Sequence, residues 1–278
     1  MNKRVLLIGI GTLGTQAIDH MIELGTVADT CVFQDGTLDQ PTGAATVLPV
    51  PNSFLEFETD IKNLFGPESH PDLQLVVLVG DLGIYGPQML QISMIFQVES
   101  IVGIEVGIMG VLPFPKSPNH LYAHLAKSYL STVSKTVYQF PLSTIAAETA
   151  SEKHMWTRLF EHIAGTTDLA INMELSGLQQ IDGADTVQRD ISDIWGECVA
   201  DTSLLVGTGD TVGSAFEQAV EPGWNTCSRA PLLSITGGTS DEVNAVLGQA
   251  TELFGRKPWS TVGNGGSGGP VRVTVFVA

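Results

Sequence analysis

The sequence predicts an α/β protein: a doubly wound sheet first, then one long helix, then a smaller α/β unit. Three observations carry this. Near-continuously apolar runs such as "VLLIGI" (5–10), "LQLVVLVG" (73–80) and "IEVGIMGVLPF" (104–114) have the composition of parallel strands buried on both faces. Helical stretches alternate with them, as the βα order of a parallel sheet requires. Near residue 146 the alternation stops, and from about 203 a shorter strand–helix–strand–helix–strand series takes over.

Each element has its own signal. Val5 to Ile10 is a β-branched, apolar strand, and "GIGTLGTQ" (9–16) turns it into a helix reaching about Leu24. Ala17, Ile18, Met21 and Ile22 fall on one face of that helix. "TCVFQD" (30–35) predicts a second strand, and residues 36–73, rich in Pro, Gly, Asp and Glu, predict loops with one short helix. "KTVYQF" (135–140) predicts a further strand. "AAETASEKHMWTRLFEHIAG" (146–165) predicts one long helix with Met155, Leu159, Phe160 and Ile163 on its apolar side.

In the last third, "SLLVGTG" (203–209) and "PLLSITG" (231–237) predict strands, and "TVGSAFEQAVE" (211–221) a helix. "SDEVNAVLGQATELF" (240–254) predicts a helix opening on Ser240, Asp241 and Glu242. Alternation in "VRVTVFV" (271–277) predicts a strand with one face packed, and "GNGGSGGP" (263–270) a glycine-rich turn rather than a ligand site. No internal repeat is present.

Composition narrows the function classes. The 278 residues suffice for two moderate domains with real cores, and 43% are hydrophobic. Thirty acidic against thirteen basic side chains give a formal charge of -17. That excess argues against nucleic acid and against an anionic membrane surface as a main partner, since both need a Lys/Arg surface. Cys31, Cys198 and Cys227 lie far apart without CxxC spacing, so neither a disulfide framework nor a zinc site is indicated, and no metal ligands are assigned. The longest apolar region, residues 100–114, carries Glu105 and is too short to span a bilayer. The expectation is a cytoplasmic protein without direct membrane insertion.

Two glycine-rich stretches follow predicted strands. Gly9, Gly11 and Gly14 stand at a strand-to-helix turn, where backbone N–H groups and a helix N-terminus can approach a phosphate. Gly80, Gly83 and Gly86 punctuate "GDLGIYG" (80–86) in a similar position. In that second stretch Asp81 adds negative charge, Ile84 and Tyr85 add bulk, and Pro87 removes a donor. Asp81 is also the candidate holder of a Mg²⁺ ion.

With "LLVGTGDTVGSAFEQAVE", "APLLSITGGTSDEVNAVLGQATELF", "VRVTVFVA" and "VLLIGIGTLGTQAIDHMIELG" in this order, the chain resembles the tubulin/FtsZ superfamily, and within it the prokaryotic FtsZ cell-division proteins. The resemblance covers roughly three quarters of the chain and is poorest over 36–72. It implies a Rossmann-like GTPase-type domain at 1–145, a central helix and linker at 146–179, and a C-terminal α/β activation-type domain at 180–278. It implies GTP or GDP as the ligand, weakly held, with Mg²⁺ as its cation.

The resemblance also assigns roles. In "QIDGADTV" (180–187), Asp182 and Asp185 match the acids that the family presents to the nucleotide site of the next subunit. Two carboxylates at that spacing orient water and, with a cation, manage charge at a phosphoryl group. The same D-x-x-D spacing also serves as a turn or capping element. Gly9, Gly11, Gly14, Gly80, Gly83 and Gly86 are the implied nucleotide-binding positions, in a site rewritten by Asp81, Ile84, Tyr85 and Pro87. Asn119, His120, Ser143 and Thr144 are the nearest polar residues where the family contacts ribose and base.

The resulting expectation is a homo-oligomer stacked head to tail into cytoskeletal filaments, with a degenerate GTP site and an adaptor of unknown identity. One alternative is an active GTP-hydrolysing FtsZ-like GTPase. Another is a Rossmann-type NAD- or ATP-dependent enzyme in which Asp35, after the second strand, takes the ribose.

Overall fold

The computed structural model describes residues 4–35, 42–51, 53–66, 68–99, 104–134, 136–147, 149–177, 179–180, 203–220, 230–263 and 270–277. The chain divides into two compact units. One comprises Met1–Glu23 and Val27–Ile163, the other Leu24–Thr26 and Ala164–Ala278.

In the first unit the elements are β1 (Val5–Ile10), α1 (Gly11–Glu23), β2 (Asp29–Gln34), β3 (Thr46–Pro49), α2 (Phe54–Phe65), β4 (Leu75–Asp81), α3 (Leu82–Met94), β5 (Glu105–Leu112), α4 (His120–Val133), β6 (Thr136–Pro141) and α5 (Leu142–Ala147). A π-helical turn, Ile95–Glu99, extends α3. The strands form one six-stranded sheet, in the order β3-β2-β1-β4-β5-β6. Every pairing is parallel. All of β1 and nearly all of β4 is buried, which is why both read as unbroken apolar runs. Leu6, Ile8 and Ile10 of β1 join Val76 and Leu78 of β4 and Met89 and Ile92 of α3 in one core.

The central helix differs from expectation. A short α5 ends at Ala147, and the long helix α6 runs from Glu152 to Ser176. Ser151 starts it, its hydroxyl accepting from the His154 N–H at 3.3 Å. Gly165, the last residue of the predicted span, lies inside it. A methyl carbon there would come within 2.6 Å of Thr274 Oγ1, so this glycine permits close approach of a strand rather than ending the helix. The end comes at Gly177, whose φ of +70° is the left-handed conformation that closes helices.

The second unit holds the remainder of α6 with β7 (Gln179–Gln180), β8 (Ser203–Gly209), α7 (Val212–Val220), β9 (Leu232–Thr236), α8 (Ser240–Phe254), β10 (Trp259–Gly263) and β11 (Val271–Val277). Its five-stranded sheet has the order β7-β10-β9-β11-β8. β9 and β10 are parallel, and β11 is antiparallel to both of its neighbours. α8 opens at Ser240, as its acidic first turn predicts, and Thr239 caps it in a reciprocal capping box with Glu242.

β11 corrects the expectation of a single packed face, because all seven of its residues are buried. Val271, Val273, Val275 and Val277 face the core built with α7 and α8. Arg272 and Thr274 alternate to the opposite face, and their polarity mimics a solvent-facing pattern. The Arg272 guanidinium instead pairs with Asp168 of α6, Nε to Oδ2 at 2.5 Å and Nη2 to Oδ1 at 2.8 Å. Two further donors go to the Leu24 carbonyl and to Thr26 Oγ1.

Candidate functional site

The strand order places β1 and β4 side by side, with Gly9 opposite Val79 and Ile10 opposite Gly80. β1 continues outward to β2 on one side and β4 to β5 on the other, so chain direction across the sheet reverses between them. In open parallel sheets the crevice at the carboxyl ends of such a strand pair is where ligands bind. Both glycine-rich stretches end here.

The β1–α1 turn is built by close packing. A methyl carbon on Gly9 would lie 2.5 Å from the Gly14 carbonyl oxygen, and one on Gly14 would lie 2.5 Å from the Val79 carbonyl oxygen. These two glycines let α1 settle against β1 and β4. Gly11 is different: its φ is +69°, and a methyl carbon there would sit 2.0 Å from Tyr85 Cε2. The space in front of Gly11 is filled by an aromatic ring.

The stretch 80–86 forms the end of β4 and the first turns of α3, with no intervening loop. Asp81 is the N-cap. Its Oδ1 accepts from the backbone N–H of Gly83 at 2.7 Å and of Ile84 at 3.2 Å. Those are donors a bound phosphate would use. Burial raises the Asp81 pKa, and the two backbone hydrogen bonds oppose the rise. Gly80 faces Met89 Sδ and the Ile10 carbonyl oxygen, each at 3.4 Å from a notional methyl carbon. Gly83 abuts Asn119 at 2.8 Å by the same measure, and Gly86 abuts Ala126 at 2.3 Å. Gly86 thus serves the packing of α3 on α4.

Tyr85 crosses the crevice. Its ring is 8% exposed against Gly11, and its hydroxyl donates to Asp35 Oδ2 beyond the end of β2. Burial, the hydrogen bond to Asp35 and the nearby carboxylate charges all push the Tyr85 pKa up, so the phenol stays protonated. Asp35, read as a ribose-binding acid, is the acceptor of this phenol. Ile84, next to Tyr85, turns outward and is 53% exposed. Pro87 lies in the body of α3 and leaves the Gly83 carbonyl without its helical N–H partner.

Of the remaining expected residues that are described, only Asn119 touches the glycine-rich stretch, against Gly83. Asn119 is the N-cap position of α4 but makes no side-chain capping bond. Ser143 and Thr144 lie exposed on α5. His120, at the start of α4, pairs with His124, Nε2 to Nε2 at 3.2 Å. Asp182 and Asp185 lie outside the described residues. Among the described residues no group of three or more His, Cys, Asp or Glu side chains is arranged to hold a metal ion, and no helix is long and apolar enough to cross a membrane.

Sequence reasoning missed the Tyr85–Asp35 bond, which joins residues 50 positions apart. The available signal was an aromatic residue with a hydroxyl in a stretch punctuated by glycine. It also missed the His120–His124 pair, although "HLYAH" carries the i, i+4 spacing in plain view.

No protein-family model matches the chain, and no curated protein sequence does. Solved structures do. The chain is similar to CetZ2 from Haloferax volcanii, described as a GTPγS-bound protofilament, with a TM-score of 0.55 and 14% identity over 99% of this chain and 92% of that one. It is similar to CetZ1 from the same organism, described as a GDP-bound monomer, with a TM-score of 0.52 and 13% identity over 99% and 93%. At that identity the likeness establishes the fold: two α/β domains with a long helix between them in the chain, the architecture of tubulin/FtsZ-type proteins.

Proposed function

We propose that this chain is a divergent FtsZ/tubulin-like cytoskeletal protein that stacks head to tail into filaments and has lost efficient use of GTP. The observation that carries the reading is the filled crevice between β1 and β4. A phosphate entering it would have to displace the Asp81 carboxylate from the Gly83 and Ile84 N–H groups and then sit beside its charge. It would also have to move the Tyr85 ring off Gly11. The chain thus carries its own anion and its own aromatic plug at the place where the implied nucleotide positions converge.

Assembly is supported by fold likeness to CetZ2, whose structure is described as a protofilament. In this reading 1–145 is the Rossmann-like GTPase-type domain, 146–179 the central helix and linker, and 180–278 the activation-type domain. In the same reading Asp182 and Asp185 are the acids that act at the nucleotide site of the next subunit. Such a contact is heterologous and extends indefinitely unless its rotation closes. The protein works in the cytoplasm, and an adaptor protein supplies any membrane attachment. A charge of -17 opposes stacking at low salt, since like charges repel over a Debye length of about 10 Å at 0.1 M.

Calorimetry with GTP, GDP, ATP and NADH, each with Mg²⁺, combined with sedimentation and negative-stain microscopy across salt, tests the reading. The expected outcome is no tight nucleotide site and a concentration-dependent assembly strengthened by salt or divalent cation. Sub-micromolar GTP binding with rapid phosphate release would instead make the chain an active FtsZ-like GTPase. Tight NADH or ATP binding would make it a Rossmann-type enzyme. A strictly monomeric protein under every condition removes the filament.

A further inference from the structure

We infer that His120 and His124 form a two-point chelate for a transition-metal cation of the Ni²⁺, Cu²⁺ or Zn²⁺ class on the surface of α4. The two residues are four apart at the start of the helix, which puts them one above the other on the same face. Paired histidines at this spacing are the helical half of many zinc sites.

The spacing of the two nitrogens suits a shared cation. The Nε2 atoms stand 3.2 Å apart, with ring centroids at 4.5 Å and planes at 70°. Imidazole nitrogens bind such cations at about 2.0–2.1 Å, so two of them subtending about 90–110° are separated by about 2.9–3.4 Å. The observed spacing falls inside that window. The pair is held by an N–H···N contact, and a shared cation replaces it once the donor ring carries its proton on Nδ1 instead of Nε2.

Access is open. His124 is exposed and His120 half-exposed, and their neighbours Leu121, Tyr122 and Leu125 are exposed and uncharged. No third His, Cys, Asp or Glu joins the pair among the described residues, so water fills the remaining positions and the cation stays exchangeable. Nitrogen ligation sets the class of ion: imidazole favours Ni²⁺, Cu²⁺ and Zn²⁺, whereas Mg²⁺ and Ca²⁺ prefer carboxylate and carbonyl oxygen.

With thirty carboxylates on the chain, divalent cations also collect on oxygen ligands, so the test must see nitrogen. One equivalent of Cu²⁺ added to the intact protein should give an electron paramagnetic resonance spectrum with two equatorial nitrogens. Calorimetry with Ni²⁺ should show one site per chain, weakened at least tenfold in His124→Ala and again in His120→Gln. His154→Ala, on α6, should leave both readouts unchanged, and circular dichroism verifies that each variant is folded. An oxygen-only copper spectrum overturns the site, as does a two-nitrogen spectrum or Ni²⁺ affinity that survives in His120→Gln/His124→Ala.

Discussion

Tyr85 occupies the side of Gly11 on which any other residue would carry its Cβ, with only 2.0 Å between that notional carbon and Tyr85 Cε2. One pair of residues therefore sets two properties at once. Position 11 must be glycine, both for its φ of +69° and for the ring in front of it. The ring, in turn, has room to lie across the crevice only because position 11 has no side chain.

This coupling is measurable. Gly11→Ala should lose roughly 1–3 kcal/mol from left-handed strain alone, and more from the clash. Tyr85→Ala removes the ring and should itself cost a few kcal/mol as a cavity, roughly 2–4 by analogy with other large-to-small changes. In the double variant the clash is gone and only the strain remains. Urea denaturation should therefore show the double variant more stable than the sum of the singles predicts, by about 1 kcal/mol or more. Simple additivity would mean that the ring does not lie against Gly11.

A second test concerns the buried ion pair of the second unit. Arg272 and Asp168 are 2% and 4% exposed, and the guanidinium uses both edges, one toward the carboxylate and one toward Leu24 and Thr26. Removing either partner leaves a buried charge without its counter-ion, which costs about 3–5 kcal/mol. Asp168→Leu and Arg272→Met should each fall in that range by chemical denaturation. Together they should cost markedly less than the sum, because an apolar pair of similar volume leaves no unpaired charge. Single losses below about 1 kcal/mol would mean that water reaches the pair.

How much of this was legible in the sequence depends on the kind of signal. β1, β8, α8 and β11 keep the bounds predicted for them, because a short apolar or β-branched run and a capped amphipathic helix each stand out in a short window. β3 and β10 were not read. β3 is a four-residue edge strand with alternating exposure, and β10, "WSTVG", is short and half polar, so neither stands out from loop composition. The length of α6 was misjudged because Gly165 resembles a stop signal, and only the approach of Thr274 from a strand more than 100 residues away explains its place.

The candidate site was legible in the same uneven way. The resemblance marked Asp81, Ile84, Tyr85 and Pro87 as departures from a phosphate loop, by charge, by bulk and by a missing donor. What they do in the fold was not, since capping by Asp81 is local but the Tyr85 bond to Asp35 depends on how β2 lies beside β1. The glycines were the least informative residues. The same residue type serves left-handed backbone at Gly11, strand–helix packing at Gly14 and helix–helix packing at Gly86.

The last prediction turns on pH. His162 of α6 is buried, and burial first, with the nearby Arg158 charge second, lowers its pKa to about 3. The unfolded imidazole titrates near 6.5. Between those values the unfolded chain binds a proton that the folded chain refuses. The His162 contribution to stability is therefore fully present above about pH 6.5 and is lost progressively as pH falls toward 3. Between pH 7 and 5.5, above the range where most carboxylates titrate, this single group should remove about 1 kcal/mol. His162→Gln cannot take up that proton. Urea midpoints measured at pH 7, 6.2 and 5.5 should fall for the natural sequence and stay nearly level for His162→Gln, whatever the variant's stability at pH 7. Parallel pH dependence in the two proteins would show that His162 takes up its proton in the folded state as readily as in the unfolded one.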